Sequence, residues 1–437
     1  MDSQQTRPFR IVIAGAGLVG LTAAHILHHA HIDFVILEKR GDPAPKVGSV
    51  MTIWPQTSRI FQQLRLSEVL DPLMESLRTS MVISGDDSHT IDVSDFPSVL
   101  EKHHGWGLRI LLRTQLVEAL YTMLPEEAKS KVLLGKQVDS VYMDEFGVQV
   151  TCQDGHTEKG AILIGADGVR SRTRLCMEAL RQHKSPHDLD ERYQSPYRST
   201  YRVLVSQVEP LPDAPSHIKC DGVNYGAATQ YLHGKKVSCF AIYEKLAKPS
   251  SKHHRYTDDD KREMLKRWSH LMVMPNYPVQ DLKLTGGNIG LYDCEEGFIS
   301  DWYHGRIVLV GDAVRKLDPR TGMGYNEGVI DLVVLINGIR GTSGVLSPRK
   351  VGPTIASLGK TFQDYEKTRT KHVSTVMGIS KTFARASAWL SWKDMVMARY
   401  LQPYLRLTDL CVAFILDPMI RASPLLNGTR EIGQIGD

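Results

Sequence analysis

The sequence predicts an α/β fold in which a parallel-sheet domain is interrupted by a mostly antiparallel β-sheet domain and followed by a helical C-terminal region. Three observations predict it. Residues 11–38 give strand, glycine turn, helix and strand signals in succession. From about residue 175 to 293 the pattern changes to long alternating strands joined by polar loops. At Arg306 a buried, parallel-type strand returns, and the chain then runs into helices.

The first element is the most informative. Ile11, Val12 and Ile13 form an apolar strand, and Gly15, Gly17 and Gly20 fill the GxGxxG spacing where that strand turns into a helix. The first glycine allows the tight turn, the second lets a pyrophosphate approach the backbone, and the third lets the helix lie close on the strand. The helix start supplies N–H groups and partial positive charge for phosphate. A second strand, Phe34 to Leu37, ends at Glu38, where a carboxylate accepts hydrogen bonds from both hydroxyls of a ribose. An ordinary βαβ turn would not explain that acid, so the stretch reads as a Rossmann-like dinucleotide site.

Composition bounds the rest. The 437 residues suffice for two domains or one elaborated one. With 42% hydrophobic and 23% charged residues, the chain should be globular and soluble. Its 53 Lys and Arg against 49 Asp and Glu leave a net charge of +4, too small to argue for nucleic acid. The six cysteines show neither CxxC nor metal-ligand spacing, which suits free thiols in a reducing, cytoplasmic compartment and no metal. The run Ile11 to Leu27 behind Arg7 and Arg10 imitates a signal-peptide core, but the glycine fingerprint explains it better; the sequon at Asn427, Gly428 and Thr429 then reads as chance. No uncharged apolar run reaches the roughly 18 residues of a membrane span.

In chain order, residues 41–70 read as a Pro/Gly loop followed by a helix with Ile60, Leu64 and Leu66 on its apolar side, and residues 79–95 as a hairpin. Arg113 starts an amphipathic helix carrying Leu116, Leu120 and Leu124, where an arginine alone would be a solvated face. Strands at Val138–Tyr142, Val148–Cys152 and Ala161–Ile164 lead into GADGVRSRTR, residues 165–174. The central region holds YRVLV (201–205), SCFAIY (238–243) and a helix near Lys261–Leu271. After the strand RIVLV comes the loop GDAVRKLDPRTGMGY and the helix NEGVIDLVVLINGI; the stretches 362–373, 387–407 and 408–420 read as further helices. The expected boundaries are 1–174 and 294–353 for the two parts of the dinucleotide domain, 175–293 for the sheet domain and 354–437 for the helical region.

GAGLVG with Glu38, Arg113 ahead of Gln115 and Leu116, GADGVRSRTR, and GDAVRKLDPRTGMGYNEG stand in the order of the FAD-dependent monooxygenases of the p-hydroxybenzoate hydroxylase type, which the chain resembles. KVGSVMTIWPQTSRIFQQL, FAIYEKL, YEKTR and the tail PYLRLTDLCVAFILDPMIRASPLL look like the fungal branch that acts on terpenoid and indole-diterpene natural products. The resemblance implies an FAD-binding domain of that fold, NADPH or NADH as reductant, and transfer of one oxygen atom from O2 to a small lipophilic substrate by epoxidation or hydroxylation. No other protein is required. It implies that Gly15, Gly17, Gly20 and Glu38 hold the adenosine end, that Arg113 neutralises the pyrophosphate, and that Asp167 and Gly168 close a turn over it. Asp312 would bind the ribityl chain, while Thr52, Pro319, Gly322, Gly324, Tyr325 and Asn326 surround the flavin ring.

Four positions depart from the family pattern: Thr52, Arg315, Met323 and Tyr325 replace a glycine, a histidine and two residues of a GQGxN motif. They admit an alternative, a non-oxidative isomerase or cyclase on the same scaffold, with Tyr325, or an acidic residue in the pocket, as general acid and Arg315 as a further candidate catalytic residue. A protein that keeps FAD without turnover is a third class, which nothing in the sequence favours. A substrate pocket between the central sheet and the loop 48–56 makes Trp54, Tyr201, Arg202, Tyr225, Tyr231 and Tyr243 the candidate contacts. The tail from Tyr400 to Leu426 admits core packing or a peripheral membrane contact, and its interrupting charges favour packing.

Overall fold

The computed structural model describes residues 9–45, 50–189, 193, 196–285, 289–342, 345, 352–389, 392–401 and 407–428. Arg10–Ala14 lies between Ile162–Gly165 and Asp33–Glu38, all parallel. Ile307–Leu309 extends the sheet on one side and Val132–Leu134 on the other, with Tyr303–His304 antiparallel at the edge. Ile11, Val12, Ile13, Ile162, Leu163 and Ile164 are all 0% exposed, because the sheet is covered on both faces and cannot alternate polar with apolar. Each such side chain contributes about 1.5–3 kcal/mol of burial. The helix Leu18–His29 packs against the sheet and against the helix Gly324–Gly341, which brings the two parts of this domain together.

The second sheet has eight strands in the order Arg315–Lys316, Gly290–Phe298, Arg198–Gln207, Ser238–Ser250, Ala227–His233, Ile218–Val223, Thr79–Ser84, Thr90–Ser94. All neighbours are antiparallel except Thr79–Ser84 beside Ile218–Val223. This corrects the expected boundaries: the hairpin 79–95 falls within 1–174, yet it pairs with the central sheet. Alternation identifies a hairpin but not the edge it joins, and here Ile83 enters the same apolar cluster as Leu204, Tyr231 and Ile242. At the opposite edge Arg315–Lys316, from the GD loop, is hydrogen-bonded to Gly290–Phe298, so the two domains share a sheet margin.

One face of this sheet is closed by the helix Asp258–Arg267, started by a Thr257/Asp260 capping box, through Met264 against Phe240 and Ile242. The other face, with Val203, Ala241 and Tyr243, fronts the cavity described below. The C-terminal region begins with a 33-residue helix, Ile355–Ser387. The helix expected over 387–407 appears as Trp392–Val396 and a wide π-type turn, Met397–Leu401; residues 402–406 lie outside the described residues, as do Arg7, 46–49 and Thr429 of the sequon. In the tail Val412 and Leu416 are buried, whereas Leu410, Phe414 and Ile415 are exposed. No helix among the described residues is long and apolar enough to cross a membrane.

Candidate active site

A cavity of about 1030 Å³ opens between the two sheets. Gly17, Leu18 and Val19 from the start of the first helix line one end, with Arg113, Gly168, Asp312, Pro319, Gly322 and Gly324. The glycines divide the labour by geometry. Gly15 has φ +99° and donates its N–H to Leu37 O at 2.8 Å; a Cβ on Gly20 would stand 1.9 Å from Gly15 O; a Cβ on Gly17 would meet nothing within 4 Å. Gly17 therefore leaves open space in front of a helix start that no side chain caps, the geometry that receives a phosphate. Glu38 lies outside the cavity lining, and its carboxylate accepts from Ala16 N at 2.7 Å and Arg40 N at 3.0 Å, fixing the acid beside the glycine turn.

Arg113 begins the helix Arg113–Thr122 and reaches the same cavity. Burial, and then the neighbouring charge of Arg40, push its guanidinium below its ordinary pKa, so an anion placed there would offset both penalties. Asp312 sits in the turn Gly311–Ala313 and is ion-paired with Lys316 on the cavity wall. The DGxxSxxR stretch works as a staple. Asp167 accepts from Ser171 Oγ and from Thr173 N at 2.9 Å; Arg174 donates to Ala313 O and to Val169 O, each at 2.9 Å, and thus ties this loop to the GD turn. Of the pair Asp167 and Gly168, only Gly168, with φ +80°, lines the cavity; the Asp167 carboxylate is spent on the helix start behind it.

The departing residues are placed as follows. Tyr325 borders the cavity but its ring tilts against Phe61 at 6.5 Å, and its hydroxyl lies 2.8 Å from Thr22 Oγ1. Thr22 already donates to Leu18 O at 2.8 Å, so the tyrosine is the donor and its proton is committed under the first helix. Arg315 does not line the cavity. It is 2% exposed and paired with Asp331, which also accepts from Gly311 N at 2.9 Å and from Arg369 Nε at 2.8 Å, while Arg369 reaches Glu327. The geometry thus gives Arg315 a structural place and turns Tyr325 away from general-acid work, contrary to the catalytic roles read from the sequence. Thr52 packs its side chain against Gly322, and Asn326 clamps the region: its amide nitrogen donates to Thr52 O at 2.9 Å and Gly322 O at 2.8 Å, and its oxygen accepts from Trp54 N at 2.9 Å. Met323 is buried on the cavity wall.

Of the six candidate substrate contacts, the cavity brings together Trp54 and Tyr243. Trp54 is fixed by its indole N–H to Thr321 O at 3.1 Å. Tyr201 is not in the lining; its ring stacks on the Arg320 guanidinium at 4.2 Å. Arg202 is ion-paired with Glu244, Tyr231 lies in the core behind the sheet, and Tyr225 is exposed on a turn. Strand alternation does not say which face meets the cavity, which misplaced Arg202 and Tyr231; Tyr201 shares the face of Val203 and Tyr243 but sits behind Arg320, and Tyr225 is not on a strand. Sequence reasoning missed Lys219, Asp221, Gln230, Arg320 and Phe383, all of which line it. The signal for the first two was Lys219 and Asp221 at i and i+2 in a strand whose intervening Cys220 is apolar and buried.

The family described as FAD binding domain matches residues 9–189 and 250–340, more than half of the chain. The chain belongs to this family. It is 28% identical over 406 residues to the FAD-dependent monooxygenase ausM of Penicillium brasilianum, covering 92% of this chain and 84% of that one. It is 28% identical over 401 residues to the FAD-dependent monooxygenase ptmM of Penicillium ochrochloron, covering 91% and 93%. Among solved structures, Klebsiella pneumoniae HpxO complexed with FAD and uric acid is similar with a TM-score of 0.76 at 18% identity, covering 95% of this chain and 97% of that one. A salicylate hydroxylase substrate complex is similar at 0.68 and 17%, covering 95% and 98%. These likenesses establish the fold of the p-hydroxybenzoate hydroxylase type.

The residues of this FAD-binding chain fit the cofactor. An uncapped helix start, side-chain-free space at Gly17, a half-buried cationic Arg113 and a second uncapped helix start at Gly324 all meet one cavity. A Cβ on Gly324 would meet nothing within 4 Å, so backbone N–H groups at that helix start are open to the space in front of them.

Proposed function

We propose that the protein is an FAD-dependent monooxygenase that inserts one oxygen atom into a lipophilic secondary metabolite of terpenoid type, by epoxidation or hydroxylation. The observation that carries this reading is a single cavity that joins the dinucleotide-binding helix start to a largely apolar sheet face. Gly17 with the N–H groups of the first helix and Arg113 would hold the pyrophosphate, Glu38 the adenosine ribose and Asp312 the ribityl hydroxyls. The helix start at Gly324 would face the flavin pyrimidine, where partial positive charge favours the reduced, anionic form. Bound FAD, reduced by NADPH or NADH, supplies the activation of O2, and the protein supplies position and exclusion of water.

Val203, Ala241, Tyr243 and Trp54 would hold the apolar body of the substrate, and Val412 and Leu416 of the tail close the cavity from outside. The Tyr325 hydroxyl donates to Thr22, which engages one of the groups that a redox-neutral cyclase on this scaffold would use as its acid. All six cysteines are unpaired, which supports a cytoplasmic enzyme.

The test is incubation of the holoenzyme with NADPH, 18O2 and a panel of polyprenyl and aromatic substrates. One labelled oxygen per product, with matching NADPH consumption, is expected. Product of unchanged mass formed without nicotinamide would overturn the reading.

A further inference from the structure

Toward the second sheet the cavity lining is largely apolar, with Ser80, Asp92, Arg320 and Thr408 among its polar residues and an ion-paired cluster on one strand. On the strand Ile218–Val223, Lys219 and Asp221 point to the cavity side while Cys220 between them is 0% exposed in the core behind. The two are ion-paired, Asp221 is 4% exposed, and the Lys219 ammonium stands 5.0 Å over the Phe383 ring. Gln230, on the adjacent strand, donates to Asp221 Oδ1 at 2.8 Å and to Arg320 O at 3.3 Å, which sets the cluster beside the loop that carries Pro319 and Gly322.

A buried ion pair in an apolar wall gains little stability, because desolvation of both ions consumes their attraction. The strand ladder is made by backbone groups and does not use these side chains. Their chemistry points instead to a ligand. An ammonium has three donors, of which Asp221 takes one, and carboxylate oxygens accept more than one hydrogen bond. The pair is neutral overall and offers a donor and an acceptor side by side. An alcohol satisfies both, accepting from Lys219 and donating to Asp221. A carboxylate or phosphate would meet Asp221 with like charge, a plain hydrocarbon would use neither group, and an ether could accept from Lys219 but has no hydrogen to donate to Asp221.

We propose that Lys219, Asp221 and Gln230 form a hydroxyl-recognition subsite and that the substrate is a neutral apolar skeleton bearing an alcohol. The proposal rests on the reading that this cavity takes a substrate beside FAD. It concerns binding and no bond is made or broken.

The experiment titrates the oxidised, FAD-loaded enzyme, without nicotinamide, with farnesol and with farnesyl methyl ether, following the perturbation of flavin absorption. The wild type should bind the alcohol about ten-fold more tightly than the ether, equivalent to about 1.4 kcal/mol. Asp221→Asn should reduce that ratio to about two-fold or less without weakening the ether. Because Asp221→Asn leaves a buried cation behind, the double variant Lys219→Met/Asp221→Leu removes both charges and keeps the fold testable; its flavin content should match the wild type and its preference for the alcohol should vanish. Equal affinities in the wild type, or a preference that survives the double variant, would overturn the proposal. A protein that selects the alcohol but consumes no NADPH would refute the monooxygenase reading alone, and oxygen transfer with no alcohol preference would refute the subsite alone.

Discussion

Replacing Tyr325 by phenylalanine separates two roles for the residue. The hydroxyl donates to Thr22 Oγ1 at 2.8 Å in a buried site, and the ring sits between the first helix and Phe61. Burial raises the phenol well above its ordinary value, so it stays protonated and available as a donor at all working pH values. Tyr325→Phe keeps the ring and removes the donor, leaving a buried acceptor without it, which costs about 1–3 kcal/mol. Turnover should remain within about two-fold, because nothing in the hydroxyl's surroundings brings it to the reacting end of the cavity. A general acid would instead lose about 10²–10⁴-fold. Thermal unfolding and NADPH-coupled turnover decide between them. The double variant Tyr325→Phe/Thr22→Val should lose less stability than the two singles added together, since they share one bond. A hundred-fold fall in turnover at unchanged melting temperature would refute the structural role.

Three further outcomes follow from the site. Gly17→Ala should fold with near-native stability but hold less FAD, because its Cβ occupies open space, whereas Gly20→Ala should fail to fold because its Cβ would stand 1.9 Å from Gly15 O; flavin content and melting temperature together check the pair. Arg113→Ala should weaken FAD binding by about 10–100-fold through loss of a charge-assisted contact worth about 1.5–3 kcal/mol, read by calorimetric titration of the apoprotein. Burial alone would raise the Glu327 carboxyl, but Arg369 and His372 hold it far below its ordinary 4.5. Its contribution to stability is therefore complete above 4.5 and is lost as pH falls below that value. Glu327→Gln should lower the melting temperature at neutral pH and flatten its decline in acid.

How much of this was legible in the sequence follows from where each constraint acts. The adenosine end was legible because its requirements are local: a left-handed φ at Gly15, close contact at Gly20 and an acid at the end of the next strand are all met within 24 residues, 15 to 38. Arg113 and the GD loop became readable only through family resemblance, since nothing near Arg113 in sequence distinguishes it from a solvated arginine. Arg315 was misread because its partner Asp331, and Arg369 that shares this carboxylate, come from two different helices and local pattern cannot show a long-range ion cluster. Arg202 and Tyr231 were misplaced for a related reason: a two-residue period fixes that a strand has two faces but not which one another domain will cover. The same blindness hid Lys219 and Asp221, whose importance depends on the helix carrying Phe383 closing over them.

This chain belongs to an FAD-binding family, and redox work by the bound flavin is open to direct measurement. The most direct test is the absorption spectrum of the purified protein before and after anaerobic addition of NADPH or NADH. About one FAD per chain is expected, bleached by one of the two nicotinamides and restored by air. A colourless protein that does not take up added FAD, or a bound flavin that neither nicotinamide reduces even with an alcohol-bearing polyprene present, would contradict it.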